Sequence, residues 1–205
     1  MCYARLHRSI RSQIAAKWDR FPARTLNDST VVIVGVGGIA ATLAPRCRAF
    51  GMKVVGVSSS PRTVEGFDMI VARQELESAV RDADFLVLLT PYTDETRHIV
   101  NARVLAAMKP GGFLVNVARG GVIDEAALIE AMQRGHLAGA ALDVFQTEPL
   151  PADHPFWSMP NVIVTAHLGG LFDRYTDHAL PILCENLGYF LSRATGKMKN
   201  VVRKP

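Results

Sequence analysis

Long apolar runs are missing from this sequence: no stretch approaches the roughly 20 consecutive apolar residues that cross a bilayer. Its first residues, MCYARLHRSIRSQ, also lack the apolar core of a secretion signal. Cysteine is scarce, and Cys2, Cys47 and Cys184 are odd in number, far apart and match no metal spacing. Together these absences point to a cytoplasmic chain with reduced thiols, no metal centre and no membrane partner. Excess charge is small as well, 23 Lys and Arg against 19 Asp and Glu for a net +4. The basic residues are densest at the two ends, in Arg5, Arg8, Arg11 and Lys17 and again in Lys197, Lys199, Arg203 and Lys204. No nucleic-acid motif accompanies them, so a nucleic-acid partner is not expected, whereas a pull toward a small anion is compatible. Repeats, low-complexity tracts and linkers are absent too.

What is present suits one domain, or one large domain with an appendage: 205 residues, 49% hydrophobic and 20% charged. Apolar runs recur at 30–35, 53–57, 84–90, 112–118, 138–145 and 161–166, with a short extra one at 68–72. Runs apolar on both faces are expected of parallel strands covered by helices on either side. Helical stretches fill the gaps. Residues 38–50 carry Ile39, Leu43 and Cys47 at spacing four, with Pro45 expected to kink or loosen the helix. Residues 101–108 open on Asn101 as a cap, and 125–134 follow the cap Asp124 and stop at Gly135. A last helix is expected over 174–193, disturbed by Pro181, and an N-terminal one over 9–21 carries Ile10, Ile14 and Trp18 as one apolar stripe. Strand and helix alternating in this order predict an α/β fold, a doubly wound parallel sheet of the Rossmann type. The expected division is an N-terminal helix within 1–24, a dinucleotide-binding domain over 25–195 and a tail over 196–205.

The turn Gly35-Val36-Gly37-Gly38-Ile39-Ala40 follows a strand and opens a helix, the context in which such a glycine pattern binds a dinucleotide. Gly35 permits the tight turn and Gly37 clears the way for a pyrophosphate, which then meets the N–H groups of Gly38, Ile39 and the helix start. Ala40 meets the need for a small residue where helix packs on strand. The second strand, however, runs into Ser58-Ser59-Ser60-Pro61-Arg62, with no acid to take both ribose hydroxyls. Ser58 and Ser59 offer hydroxyls without negative charge, and Arg62 can reach a 2′-phosphate with a charge-assisted fork. NADP is therefore expected over NAD. The plainer alternative makes Arg62 a surface arginine and the serines a turn.

Further along, VNVARGGVIDEAALIEAM (115–132), GAALDVFQTEPLPADHPFW (139–157) and NVIVTAHLGG (161–170) closely resemble the D-isomer-specific 2-hydroxyacid dehydrogenases. LLTPYTDETRHIVN (88–101) is similar to that family's segment flanking the cofactor. The resemblance implies that Arg119 holds the substrate carboxylate, that His167 is the acid/base and that Glu148 is its partner. It also implies a contact from Asp143 to the nicotinamide carboxamide, backbone contacts from Thr90 and Pro91, and a cofactor lining that includes Val117, Ala118, His167 and Gly169. The chemistry wants the same residue types. Reduction of a 2-oxoacid needs a cation beside the carboxylate and carbonyl, and a proton donor to the forming alkoxide. Arginine stays charged and is bidentate; histidine titrates near neutrality; a carboxylate on its far nitrogen fixes the tautomer and favours the imidazolium. Singly, Arg119 also reads as a loop arginine, His167 as a buried hydrogen-bonded histidine, Glu148 as a helix-flanking acid and Asp143 as a strand-end acid. His98, His154 and His178 are expected to be structural or exposed.

Two departures stand out. Ala166 occupies the place where the family usually has proline, and the segment after Gly170 is less typical. Only 34 residues precede Gly35, where the family has a substantial half-domain that closes over the cofactor. A fragment, a truncated product or a compact variant is expected, in which cofactor binding survives and lid-dependent catalysis suffers. In the family the helix before the glycine turn crosses to a second subunit. Ile10, Ile14 and Trp18 are accordingly expected to support a homodimer, though they also suit packing on their own domain. The leading expectation is an oxidoreductase acting between NADPH, or NADH, and a small 2-oxoacid such as glyoxylate or hydroxypyruvate. The alternative is a non-catalytic NAD(P)H-binding regulator or scaffold.

Overall fold

Valine pairs dominate the early strands, and their β-branched side chains pack well on a pleated surface that is covered on both faces. The computed structural model describes residues 2–3, 6–60 and 62–201. In chain order the elements are β1 (Cys2–Tyr3), α1 (Leu6–Ile14), β2 (Arg24–Thr25), β3 (Thr30–Val34), α2 (Gly38–Ala49), β4 (Lys53–Ser58), β5 (Met69–Ala72) and α3 (Leu76–Ala79). They continue with β6 (Phe85–Leu88), α4 (Ala102–Ala107), β7 (Phe113–Asn116), α5 (Glu125–Gln133), β8 (Gly139–Leu142), β9 (Val162–Val164) and α6 (Tyr175–Leu191). All seven expected runs become strands of one sheet, in the order β5-β4-β3-β6-β7-β8-β9, and every pairing in it is parallel. The chain winds outward from β3 through β4 to β5, then returns to place β6 on the other side of β3. That reversal leaves a crevice at the carboxyl ends of β3 and β6, where open α/β sheets receive ligands.

Successive residues of β3 show why both faces are apolar. Val31 and Ile33 pack with Ala40 and Ala44 of α2, whereas Val32 and Val34 pack with Val80, Leu105, Leu128 and the rest of the larger core on the α3–α5 side. Each fully buried side chain of this kind contributes about 1.5–3 kcal/mol. Alanines one turn apart let α2 lie close to the sheet. Pro45 leaves that helix continuous to Ala49; it sits on the exposed face, where the carbonyl it leaves without an N–H partner can turn to water. Asn101 accepts from the amides of Arg103 and Val104 and Asp124 from that of Ala127, capping α4 and α5 as expected, and Gly135 ends α5 at φ 68°.

The N-terminal helix is shorter than its apolar spacing predicts. Ala16 turns left-handed at φ 49°, and Lys17 and Ala16 donate back to Ser12 and Gln13, a Schellman closure. A two-pronged Arg8–Asp19 ion pair, 2.7 and 3.0 Å, holds the returning chain. Trp18 therefore lies outside α1, and Ile14 and Trp18 are 81% and 91% exposed. Among the described residues no helix is long and apolar enough to cross a membrane.

Contacts divide the chain into two units, Met1–His167 and Leu168–Pro205. The second holds α6, whose residues are all partly or fully exposed. Its end is tied to the following turn by Lys199–Glu185 at 2.7 Å and by paired bonds between Asn186 and the backbone of Lys199. Gly169 belongs to this second unit.

Candidate active site

The glycine turn is wedged against its neighbours. Gly35 sits at φ 99°, and a Cβ there would lie 2.7 Å from the backbone nitrogen of Thr90, so the position tolerates glycine on two counts. Its own N–H bonds to the carbonyl of Val57 at 2.9 Å. At Gly37 and Gly38 a Cβ would meet nothing within 4 Å, and the first turn of α2 has no side chain bonded over it. Clear space in front of a helix start is what a pyrophosphate requires, so these residues fit a dinucleotide. Ile39, 69% exposed, flanks the opening.

A crevice of about 320 Å³ runs over this turn, lined by Gly35, Gly37, Ser58, Ser59, Arg62, Thr90 and Pro91 among others. Ser58 is buried, and its hydroxyl closes a turn on the backbone of Ser60, accepting from the N–H and donating to the carbonyl, both at 3.2 Å. Ser59 is exposed. Arg62 extends over the glycine turn and donates to the carbonyl of Val36 at 2.8 Å. Two further residues on this wall escaped the sequence reading, Arg73 and Glu95.

The loops after β7, β8 and β9 converge next to the crevice. Their backbones continue the sheet beyond its strands: Asp143 donates to Asn116 at 3.0 Å and His167 to Asp143 at 2.9 Å. Buried Asn116 splints the first loop, its amide donating to Arg119 O and its oxygen accepting from Ala118 N, each at 3.0 Å. Arg119 bends back to donate to the carbonyl of Ala118 at 2.6 Å. Of the two residues before it, Val117 is exposed and Ala118 buried. Gly120 is required by close approach: a Cβ there would fall 1.9 Å from the carbonyl carbon of Phe145. Asp143, also buried, accepts from the Thr165 hydroxyl at 2.5 Å.

His167 and Glu148 meet at 2.7 Å, Nδ1 to Oε2, while Glu148 Oε1 accepts from the Phe145 amide at 2.9 Å. A carboxylate on Nδ1 puts a proton there and leaves Nε2 for chemistry. The bond from His167 holds the Glu148 carboxyl below the usual carboxylate range against the cost of burial, with the Phe145 amide and the charges of His167 and Arg119 adding to it. Arg119 and His167, two of the three residues singled out from the sequence, thus both act electrostatically on the third, Glu148. Beside them lies a mostly apolar hollow of about 480 Å³, lined by Phe145, Leu150, Trp157 and Val164 together with Glu148 and His167.

The loop that carries Glu148 has its own support. Glu125, at the start of α5, accepts from the amide of Gln146 at 3.3 Å and meets His154 Nε2 at 3.2 Å. Gln146 in turn donates to the carbonyl of Ile123 at 3.0 Å. His154 is structural, as expected. Glu125 and Asn116 escaped the sequence reading; an Asn ending an apolar strand was the available signal for the latter.

Residues 1–169 match the family described as D-isomer specific 2-hydroxyacid dehydrogenase, NAD binding domain. D-3-phosphoglycerate dehydrogenase of Bacillus subtilis is 44% identical over 156 residues, 75% of this chain and 29% of that protein. A crystal structure of a D-isomer specific 2-hydroxyacid dehydrogenase from Xanthobacter autotrophicus with NADPH and MES superposes with TM-score 0.82 at 36% identity, covering 91% of this chain and 76% of that one. An NADPH-dependent glyoxylate/hydroxypyruvate reductase from Sinorhizobium meliloti, with NADP and sulfate, gives TM-score 0.85 at 33% identity, over 97% of this chain and 63% of that one. This chain spans about half or less of most of the curated relatives it matches, and 58% of an uncharacterized Corynebacterium melassecola protein. By sequence match and by fold, the chain belongs to the D-isomer specific 2-hydroxyacid dehydrogenases.

Proposed function

We propose that this chain is the cofactor-binding part of an oxidoreductase working between NADPH and a small 2-oxoacid of the glyoxylate or hydroxypyruvate type. The single observation that carries the reading is the His167–Glu148 pair at 2.7 Å with Arg119 close enough to act on Glu148. A module that only bound a nucleotide would not need an acid/base, its orienting carboxylate and a nearby cation together.

When bound along the crevice, a reduced nicotinamide supplies the hydride. Arg119 binds the substrate carboxylate through its planar fork. His167 donates the Nε2 proton to the alkoxide as it forms, and Glu148 stabilises the imidazolium before that transfer and fixes its orientation afterwards. Asp143, whose carboxylate accepts from the Thr165 hydroxyl, would take the nicotinamide carboxamide. Arg62 and the exposed Ser59 favour a 2′-phosphate over a ribose diol. The reductase from Sinorhizobium meliloti with bound NADP lends support at 33% identity. Exposed Ile10, Ile14 and Trp18 supply apolar surface for a homodimer, and the cytoplasm is the compartment proposed.

The test is a panel of 2-oxoacids with NADPH oxidation followed by absorbance, beside fluorescence titration of NADPH and NADH. Turnover of glyoxylate or hydroxypyruvate that disappears in His167→Asn supports the reading. Failure to bind either reduced cofactor would overturn it, and tight NADPH binding with no turnover of any 2-oxoacid would favour the cofactor-sensing regulator. A monomer in sedimentation at micromolar concentration would count against the dimer.

A further inference from the structure

The crevice wall contains an ion pair that the proposed chemistry does not use. Arg73 Nη1 meets Glu95 Oε2 at 2.7 Å. The two residues come from opposite sides of the switch point. Arg73 follows β5, and Glu95 lies in the segment after β6; β4 and β3 stand between those strands in the sheet. At about 4.8 Å per strand the pair reaches over roughly 14 Å of sheet end, across the crevice that runs over the glycine turn.

Register sets the position of the arginine. Ser58 pairs with Ala72, so Arg73 emerges beside Ser59, at the same strand ends from which Arg62 reaches back to the glycine turn. Both arginines and both serines line one crevice. The other partner has a firm base: buried Thr96 bonds through its hydroxyl to the carbonyl of Pro91 at 2.7 Å and to the amide of Thr93 at 2.8 Å. Glu95 itself is 76% exposed while Arg73 is 25% exposed. A carboxylate that wet holds its partner weakly. A phosphate monoester carries about −1.5 to −2 charges and three acceptor oxygens, and it outcompetes a single solvated carboxylate for a guanidinium.

We propose that Arg73 is a specificity-determining residue for the 2′-phosphate, parked on Glu95 and exchanged from that carboxylate onto the phosphate when the cofactor binds. This rests on the NADP preference proposed above. Arg62 and Arg73 then grip the phosphate from two strands, and Glu95 sets the threshold: a dinucleotide without the phosphate has nothing to draw Arg73 away.

The experiment is fluorescence titration of NADPH and NADH on the full chain and on Arg62→Ala, Arg73→Ala and Glu95→Gln. Arg73→Ala is expected to raise the NADPH Kd about tenfold and to leave the NADH Kd unchanged. Glu95→Gln is expected to lower the NADPH Kd several-fold and again to spare NADH. That gain cannot arise from misfolding. Preference for NADPH that is lost in Arg62→Ala but untouched in Arg73→Ala and Glu95→Gln overturns the role of Arg73 and leaves the cofactor reading standing. Equal binding of both cofactors by the unmodified chain overturns the cofactor reading and this inference with it.

Discussion

Replacing Glu148 with Gln separates catalysis from stability at this site. The carboxylate accepts on both sides, from the Phe145 amide at 2.9 Å and from His167 Nδ1 at 2.7 Å. Gln keeps the shape but has one acceptor and one donor. If its oxygen faces His167, its NH₂ confronts the Phe145 N–H; if its oxygen faces Phe145, the NH₂ confronts Nδ1 and excludes the imidazolium. On the proposed reading, His167 as the proton donor then loses a charge-assisted bond, about 1.5–3 kcal/mol, which converts to a fall in kcat of roughly ten- to a hundredfold. Stability responds differently. The side chains of His167 and Glu148 are 45% and 36% exposed, so solvent screens their pairing and its loss costs at most about 1 kcal/mol, a Tm change of about 2–4 °C for a domain of this size. Steady-state NADPH oxidation and calorimetry on the same preparation read both quantities. A kcat within twofold of the unmodified protein, or a collapse in Tm with kcat unchanged per folded molecule, would refute the assignment of Glu148 as the partner of the acid/base.

Three other outcomes follow from the same geometry. Asn116→Ala removes both bonds of the loop splint in a buried setting, leaving the Ala118 amide without its partner and the Arg119 carbonyl with only the long 3.4 Å bond from the Val122 amide. It is expected to cost about 1–3 kcal/mol in urea unfolding and, on the proposed reading, to raise KM for the 2-oxoacid through a loosened Arg119. Gly120→Ala drives a Cβ into the backbone of Phe145 and displaces the segment leading to Glu148. Expected are a loss of at least about 1–3 kcal/mol and a kcat deficit, so native stability with native kcat would show that the contact is not built as described. Lowering the pH gives the third. Because His167 and its neighbours depress the Glu148 carboxyl, the pair's contribution is complete above the ordinary carboxylate value of about 4 and fades as pH falls through the depressed one. Followed by NMR at its own side-chain carboxyl carbon, Glu148 should titrate below the ordinary carboxylate value, and a midpoint at or above that value would contradict the pairing.

The sheet was readable because its rule is local. A strand covered on both faces has apolar residues at every position, and the runs at 30–35, 53–57 and 84–90 could be nothing else of that length; Asn101 and Asp124 marked their helices by the same short-range logic. Elements governed by distant partners were not readable in this way. The stripe Ile10, Ile14, Trp18 promises a helix through Trp18, but the helix stops at Ile14 because Arg8 finds Asp19 and Ala16 accepts a left-handed turn, and no periodicity encodes that pairing. Arg73 and Glu95 are 22 positions apart and become neighbours only once β5 and β6 are placed with two strands between them.

The candidate site itself divides along the same line. Arg119, Glu148 and His167, the reacting groups proposed here, were legible from their type and from the segments around them, since proton transfer beside a carboxylate admits few side chains. What holds them was hidden, because holding is done by whatever side chain the fold brings near. Asn116 serves because a buried amide can donate and accept at once, where its strand neighbours Leu114 and Val115 cannot. Glu125 serves because the start of α5 lies beside Gln146, a fact of sheet register and not of composition. Reactive groups are chosen by chemistry and leave a signature in the sequence, while their supports are chosen by geometry and become visible only after the three loops have been folded onto the ends of β7, β8 and β9.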